Sequence, residues 1–304
     1  MQRTQYSYDS ILAASERASF RVEDVIGPDR PLDFQRPFLP EVLARVEPLD
    51  FLTPDERIKL NQIRGNTYLV MFGLVEEFIL PFVLDHARPA LSHNDARTRA
   101  LLQFATEEAK HIQLFRRFRE AFEAGFGART DVIGPPEAIG AEVLRHQPLA
   151  VALLVLHIEW MTQRHYVDSV KDNQALCPQF KSLLKHHWME EAQHAKLDTL
   201  MVEALADRCS PEQQVAALEE YLEIGGFIDA GLKQQVALDL EAFERATGRR
   251  LTAAERSRAS EMQLGANRWT YLGSGMTHPQ FLGTLDRIQP ALRGRVETVA
   301  PAFC

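Results

Sequence analysis

The sequence predicts an all-α fold built as a helical bundle, and three observations carry that expectation. No stretch alternates β-branched and polar residues in the manner of a strand. Helix start signals recur along the chain, as in LTPDE at 52–56, SPEQ at 210–213 and TAAE at 252–255. Two pentapeptides, EEAKH at 107–111 and EEAQH at 190–194, each set a Glu three residues before a His, which on a helix places carboxylate and imidazole on one face.

Residues 1–50 hold many prolines and little periodicity, so an irregular N-terminal arm is expected there, followed by one helical domain over 51–304. The first long helix should run from about 53 to 87, with Gly65 and Gly73 as soft points and an apolar second half that asks for burial. A second helix should cover about 93–124, closed by the Gly- and Pro-rich stretch 125–136, which leads into a connection long enough to cross the bundle. Third and fourth helices should cover about 148–172 and 179–207, separated by Cys177-Pro178, and further helices should fill 210–276.

Bulk properties narrow the function. The chain has 304 residues, a net charge of −8 spread along its length and no basic, aromatic-interleaved patch, which argues against nucleic acid as a partner. The longest apolar run, LAVALLVL at 149–156, is too short to span a bilayer and no leader pattern opens the chain, so a cytoplasmic location without a membrane partner is expected. Three scattered cysteines form no CxxC and suggest reduced thiols. A homodimer is the default assembly.

The two [DE]xxH matches are chemically suggestive but few; chance alone gives roughly one and a half in a chain of this composition. Their shared EEA[KQ]H context, mid-helix in two well-separated helices, instead suggests a duplicated helix pair. Each pair should then carry an inward Glu on its preceding helix. Glu159 qualifies on the third helix, because His157, Arg164, Asp168 and Lys171 cluster on the opposite side. On the first helix the phase of Arg57, Asn61 and Arg64 turns Glu77 inward, whereas spacing favours Glu76, which precedes Glu108 by the same interval that separates Glu159 from Glu191. Glu76 is preferred, with Glu77 as the alternate.

His187, four residues before Glu191, shares its stripe with Glu191 and His194. The candidate metal ligands are therefore Glu76, Glu108, His111, Glu159, His187, Glu191 and His194. Four buried carboxylates are neutralised by two divalent ions, and a carboxylate–imidazole set without thiolate suits iron, with manganese as the alternative. Asp198, on the same stripe, is the candidate acceptor for an imidazole N–H. Phe104, Phe115, Trp160 and Trp188 read as core packing, His157 and His165 as flank or surface residues, and His186 as a histidine of the core or of the ligands' surroundings.

This pattern resembles the ferritin-like di-iron carboxylate superfamily, and within it the p-aminobenzoate N-oxygenase family. The resemblance covers about 60–205, and its most specific part is the H-x-x-x-E-x-x-H of His187, Glu191 and His194. It implies a ferritin-like four-helix bundle whose two irons activate O2 to oxidise a small organic molecule, with an amine nitrogen as candidate target and an external electron donor. Aminobenzoate-oxidising members place an arginine just over a turn before the first Glu to hold the substrate carboxylate; here that stretch contains Met71 and Phe72, which favours an apolar substrate. Ferroxidase or iron-storage activity is the alternative with the same ligands, and a metal-free helical scaffold is a third reading. The long segments before and after the bundle suit a covered pocket better than a storage subunit.

Overall fold

The computed structural model describes residues 6–92 and 95–304, and among them only helices and connecting segments occur. The helices are α1 (Tyr8–Ala18), α2 (Val22–Val25), α3 (Glu41–Ala44), α4 (Pro54–Ala87), α5 (Ala96–Phe126), α6 (Pro136–Leu144), α7 (Pro148–His165), α8 (Pro178–Ala206), α9 (Pro211–Thr247), α10 (Ala253–Arg268), α11 (Ser274–Met276), α12 (Pro279–Ile288) and α13 (Pro290–Val299). π-helical turns extend α7 through Tyr166–Val170 and α10 through Trp269–Gly273. The second long helix begins at Ala96, capped by the Asp95 side chain, so the expected start at His93 lies outside the described residues.

Local chemistry sets the boundaries. Thr53, Ser210 and Thr252 each close a capping box with the Glu or Gln three residues on, which satisfies N–H groups that a helix start leaves unpaired. Gly127 and Gly248 adopt left-handed φ of 81° and 71° where α5 and α9 stop. Short connections make two helical hairpins, α4 with α5 and α7 with α8, and the longer passage through α6 carries the chain across the bundle. The bundle is covered on both sides. α1 lies on α5 and α8, while α9 spans α4 and α7 and brings α10–α12 with it.

The expected irregular arm is partly helical. Ser7 caps α1, whose Ile11, Ser15 and Ala18 recur on one face and are buried. Further along, backbone groups of the arm are held by polar side chains of α4: Asn61 Oδ1 accepts from Phe38 N at 2.7 Å and Leu39 N at 3.0 Å, its Nδ2 donates to Leu39 O, and Gln62 donates to the carbonyls of Phe34 and Arg36. Extended chain can lie against the core only where its backbone finds partners. Gly65 is accordingly a point of close approach rather than a soft point, since a Cβ there would meet Phe38 Cβ at 2.8 Å. The expected helices to 276 also continue beyond it, through α12 and α13.

α4 is long and apolar enough to cross a membrane by length and composition alone, but most of that stretch is buried inside the protein. Its buried polar groups tie the layers together. Arg64, fully buried, donates to Asn267 of α10 and to Leu43 O, while Thr67 and Gln235 both donate to Asp239 Oδ1 at 2.8 Å. Burial raises the Asp239 pKa to about 6 against the opposing pull of Arg64 and its hydrogen bonds. A carboxyl whose folded pKa is raised binds more protons in the folded chain, so stability falls as pH rises from about 4 to 6 and the penalty is constant above that. Asp239→Asn should therefore gain on wild type by on the order of 2 kcal/mol between pH 4 and pH 7 in urea unfolding; a pH-independent difference would contradict the assignment.

Candidate metal centre

Seven acidic side chains surround three imidazoles in the middle of the bundle. Glu76, Glu107, Glu108, Glu159, Glu190, Glu191 and Asp198 are each at most 2 % exposed, and His111, His187 and His194 are at most 1 % exposed. Glu76 of α4 is in this cluster, and Glu77 is exposed. The helical phase pointed the other way because it treated Asn61 and Arg64 as solvent-facing, whereas both are buried to hold the arm and α10. A polar stripe marks the surface only when its residues have no internal task.

Within the cluster, two overlapping sets of four residues bring one ligand atom each within 4.8 Å of all the others: Glu76, His111, His187 and Glu191, and Glu108, His111, Glu191 and His194. Glu76 Oε1 lies 3.0 Å from His187 Nε2, and Glu76 Oε2 faces His111 Nδ1 at 3.4 Å without hydrogen-bonding geometry. His194 Nδ1 lies 2.7 Å from Glu191 Oε2 and 2.9 Å from Glu108 Oε1. Glu159 belongs to neither set; it feels the charge of Glu191 and keeps a buried Oε2 without a partner.

These groups fit a pair of divalent cations. Glu108 Oε2, Glu159 Oε2, Glu76 Oε2 and His111 Nδ1 are buried and unpaired, a costly state for free polar atoms that a metal relieves. Electrostatics point the same way. Burial and the neighbouring Glu76 and Glu191 push Glu108 well above the usual carboxyl range, and burial with Glu191 does the same to Glu159. Burial opposes charge on His111 and His194 too, yet the surrounding carboxylates raise both imidazoles well above their ordinary value. The cluster thus seeks positive charge.

The Glu doublets of the two pentapeptides have divided roles that the sequence reading missed. Glu108 and Glu191 face the cluster, while Glu107 and Glu190 reach across to the opposite helix. Glu190 Oε2 lies 2.9 Å from His111 Nε2, and Glu107 Oε2 lies 2.8 Å from His194 Nε2. Each EEA[KQ]H therefore orients the other's histidine, leaving Nδ1 turned inward. His187 presents Nε2 instead. The signal was visible as the repeated first Glu, but its partner lay 79 or 87 residues away.

The outer acids are themselves fixed. Glu107 accepts hydrogen bonds from Ser15 of α1 and, at 3.0 Å, from Gln103; burial notwithstanding, its bonds to His194, Ser15 and Gln103 hold its pKa at about 2. Lys110 pairs with Glu190 and lies 4.2 Å from the Phe20 ring centroid. The N-terminal segment thereby seals the side of the centre formed by α5 and α8. Asp198, expected to orient an imidazole, is buried with both oxygens unpaired, and Glu107 occupies that role at His194.

Two histidines need correction. His157 and His165, expected at the flank or surface, are buried: His157 Nδ1 lies 2.7 Å from the Tyr221 hydroxyl, and His165 bridges Tyr68 and Ser274. Burial lowers both to about 3, so they stay neutral. The helix phase was right about their distance from the centre, but α9 and α11 cover that side. His186 is half-buried beside Phe20 and bonds its own helix at Ser182 O. Phe104 packs 4.0 Å from the His194 ring and Phe115 5.0 Å from His187, as core residues; Trp160 and Trp188 are half-buried and stack on His278 and Tyr166.

Beside the centre lies a cavity of about 580 Å³ between α4, α6, α7, α9 and the π turn after α10. Its wall is overwhelmingly apolar, with Met71, Phe72, Ile158 and Met161 on the bundle side, and no Lys, Arg or His lines it among the described residues. Phe72 belongs to both places. Its ring lines the cavity and meets the His187 ring edge-on at 5.3 Å.

Over residues 2–268 the chain matches the family described as P-aminobenzoate N-oxygenase AurF. No curated protein matches it. Among solved structures, an R2-like ligand-binding oxidase with aerobically reconstituted Mn/Fe cofactor aligns over 86% of this chain and 92% of its own, at 13% identity and a TM-score of 0.47. A variant of that oxidase with an aerobically reconstituted Fe/Fe cofactor aligns over 86% and 92%, at 14% identity and a TM-score of 0.45.

Replacing Glu107 or Glu190 by Gln keeps shape but removes the charge that supports an imidazole N–H. Each variant should bind Fe(II) about 10- to 100-fold more weakly in chelator competition, with little change in helix content. Unchanged affinity in both would show that the cross-helix contacts do not serve the metal.

Proposed function

The chain belongs to the p-aminobenzoate N-oxygenase family and is a di-iron, O2-dependent oxidoreductase, and on that premise we propose that its substrate is a small, largely apolar amine lacking the aminobenzoate carboxylate. The observation that carries this reading is the cavity wall: Met71 and Phe72, from the stretch in which the resemblance puts an arginine in aminobenzoate-oxidising members, line it, and no Lys, Arg or His does so among the described residues. A buried carboxylate without a partner would be strongly disfavoured there.

In this proposal Glu76, Glu108, His111, Glu159, His187, Glu191 and His194 hold the two ions, with Mn as the alternative metal. Iron held there would supply the activation of O2, with electrons from an external donor. The chain's own residues do the rest. Glu107 and Glu190 keep the Nε2 protons of His194 and His111 in place, so that Nδ1 of each remains a donor to metal. Phe72, Phe104 and Phe115 pack against the imidazoles and exclude water, and the cavity presents the substrate from the α4–α7 side.

Iron storage, the alternative with the same ligands, is not favoured: the family match takes in the chain well beyond the four bundle helices. The cavity built by α6, α9 and the π turn also suits an organic molecule better than an ion route.

The charge of the cavity can be tested by exchange. Wild-type protein should oxidise neutral arylamines such as 4-ethylaniline and leave 4-aminobenzoate largely untouched; Met71→Arg should raise kcat/KM for 4-aminobenzoate at least about tenfold, the worth of one charge-assisted hydrogen bond. Efficient oxidation of 4-aminobenzoate by the wild type would contradict the proposed substrate class.

A further inference from the structure

The two pentapeptides differ at one position, the residue before the histidine: Lys110 in EEAKH and Gln193 in EEAQH. That difference falls on the acids that support the imidazoles. Glu190 gives one oxygen to His111 Nε2, at 2.9 Å, and the other to the Lys110 ammonium, whose side chain is 19% exposed and leans on the Phe20 ring. Glu107 gives one oxygen to His194 Nε2, at 2.8 Å, and the other to two neutral donors, the Ser15 hydroxyl and the Gln103 amide. Gln193 Oε1 accepts from Lys196 at 3.3 Å instead, and among the described residues no Lys or Arg pairs with Glu107. The two supporting contacts are alike in length, so charge is what separates them.

Glu191 divides the cluster into the halves on which this asymmetry acts. Its Oε1 faces His187 Nε2 and, at 3.3 Å, His111 Nδ1, and Glu76 adjoins the same two imidazoles. Its Oε2 faces His194 Nδ1 at 2.7 Å, where Glu108 Oε1 also approaches to 2.9 Å. His111 and His194 thus stand at different oxygens of one carboxylate, and the Lys110 charge reaches only the His111 half through a direct chain of contacts.

We propose that the Lys110/Gln193 difference makes the two metal positions unequal, so that a divalent cation is held more tightly on the His194 side and fills that side first. The proposal rests on the ligand set given above. A carboxylate that accepts an imidazole N–H raises the basicity of the nitrogen turned to the metal. A cation on that carboxylate's other oxygen draws charge away from the imidazole and repels the incoming ion, whereas neutral donors leave most of the charge in place. Lys110 is therefore a positioning residue that weakens one half of the centre through Glu190 and His111.

Anaerobic titration of the metal-free full chain with Fe(II), in competition with a chelator, gives the two stepwise dissociation constants. Wild type should show steps at least about tenfold apart and, with one equivalent of iron, a single ferrous doublet in its Mössbauer spectrum. Lys110→Gln keeps a hydrogen-bond donor and makes the first copy read like the second. It should tighten the weaker step about five- to tenfold, leave the stronger within about twofold, and show two doublets at one equivalent; Lys110→Met should agree in direction. Lys110→Arg, which keeps the charge, should retain the wild-type pattern. Coincident steps in wild type, equal shifts of both steps in Lys110→Gln, no shift at all, or an arginine variant that behaves like the glutamine one would each overturn the proposal. Stoichiometry separates its failure from that of the ligand set: two ions whose steps ignore Lys110 remove this inference alone, whereas a wild-type chain that takes up fewer than two removes both.

Discussion

Mutual repulsion among buried carboxylates is the constraint around which this protein is built. Seven acids are packed about three imidazoles where water cannot screen them, and no sequence would keep that arrangement for stability alone. Positive charge must be brought in, and the donor set specifies it as divalent metal bound by oxygen and nitrogen. In the proposed ligand set, the charges of Glu76, Glu108, Glu159 and Glu191 would balance two such ions. Glu107 and Glu190 are neutralised differently, through imidazole N–H groups and, for Glu190, through Lys110.

The cross-helix exchange explains why the pentapeptide occurs twice. One EEA[KQ]H can place a carboxylate and an imidazole on a helix face, but it cannot orient its own histidine from outside, because its first Glu points toward the neighbouring helix. Two copies on facing helices solve this for each other. The N-terminal segment completes the arrangement by fixing Glu107 through Ser15 and by placing Phe20 beside Lys110. A segment that composition marks as irregular is thus part of the centre's wall.

The bundle and the gathering of Glu76 with the two Glu/His motifs in one buried cluster were legible in the sequence because they depend on spacing along the chain: the step between neighbours on one helix face, and the equal interval from each inward Glu to the motif that follows it. What was not legible depends on packing between distant segments. His157 and His165 read as flank residues because helical phase reports direction relative to the bundle centre, not what covers the far side; here α9 and α11 do. Asn61 and Arg64 misled the phase of α4 for the same reason, and the cavity, assembled from five separated segments, left no periodic trace.

The central claim is that this cluster holds two metal ions. Anomalous X-ray scattering at the iron edge, from crystals of the iron-loaded protein, tests it directly. Two iron positions are expected within the cluster bounded by Glu76, Glu108, His111, Glu159, His187, Glu191 and His194. A well-folded, iron-treated chain with no iron at these residues, or with a single ion bound elsewhere, would contradict it.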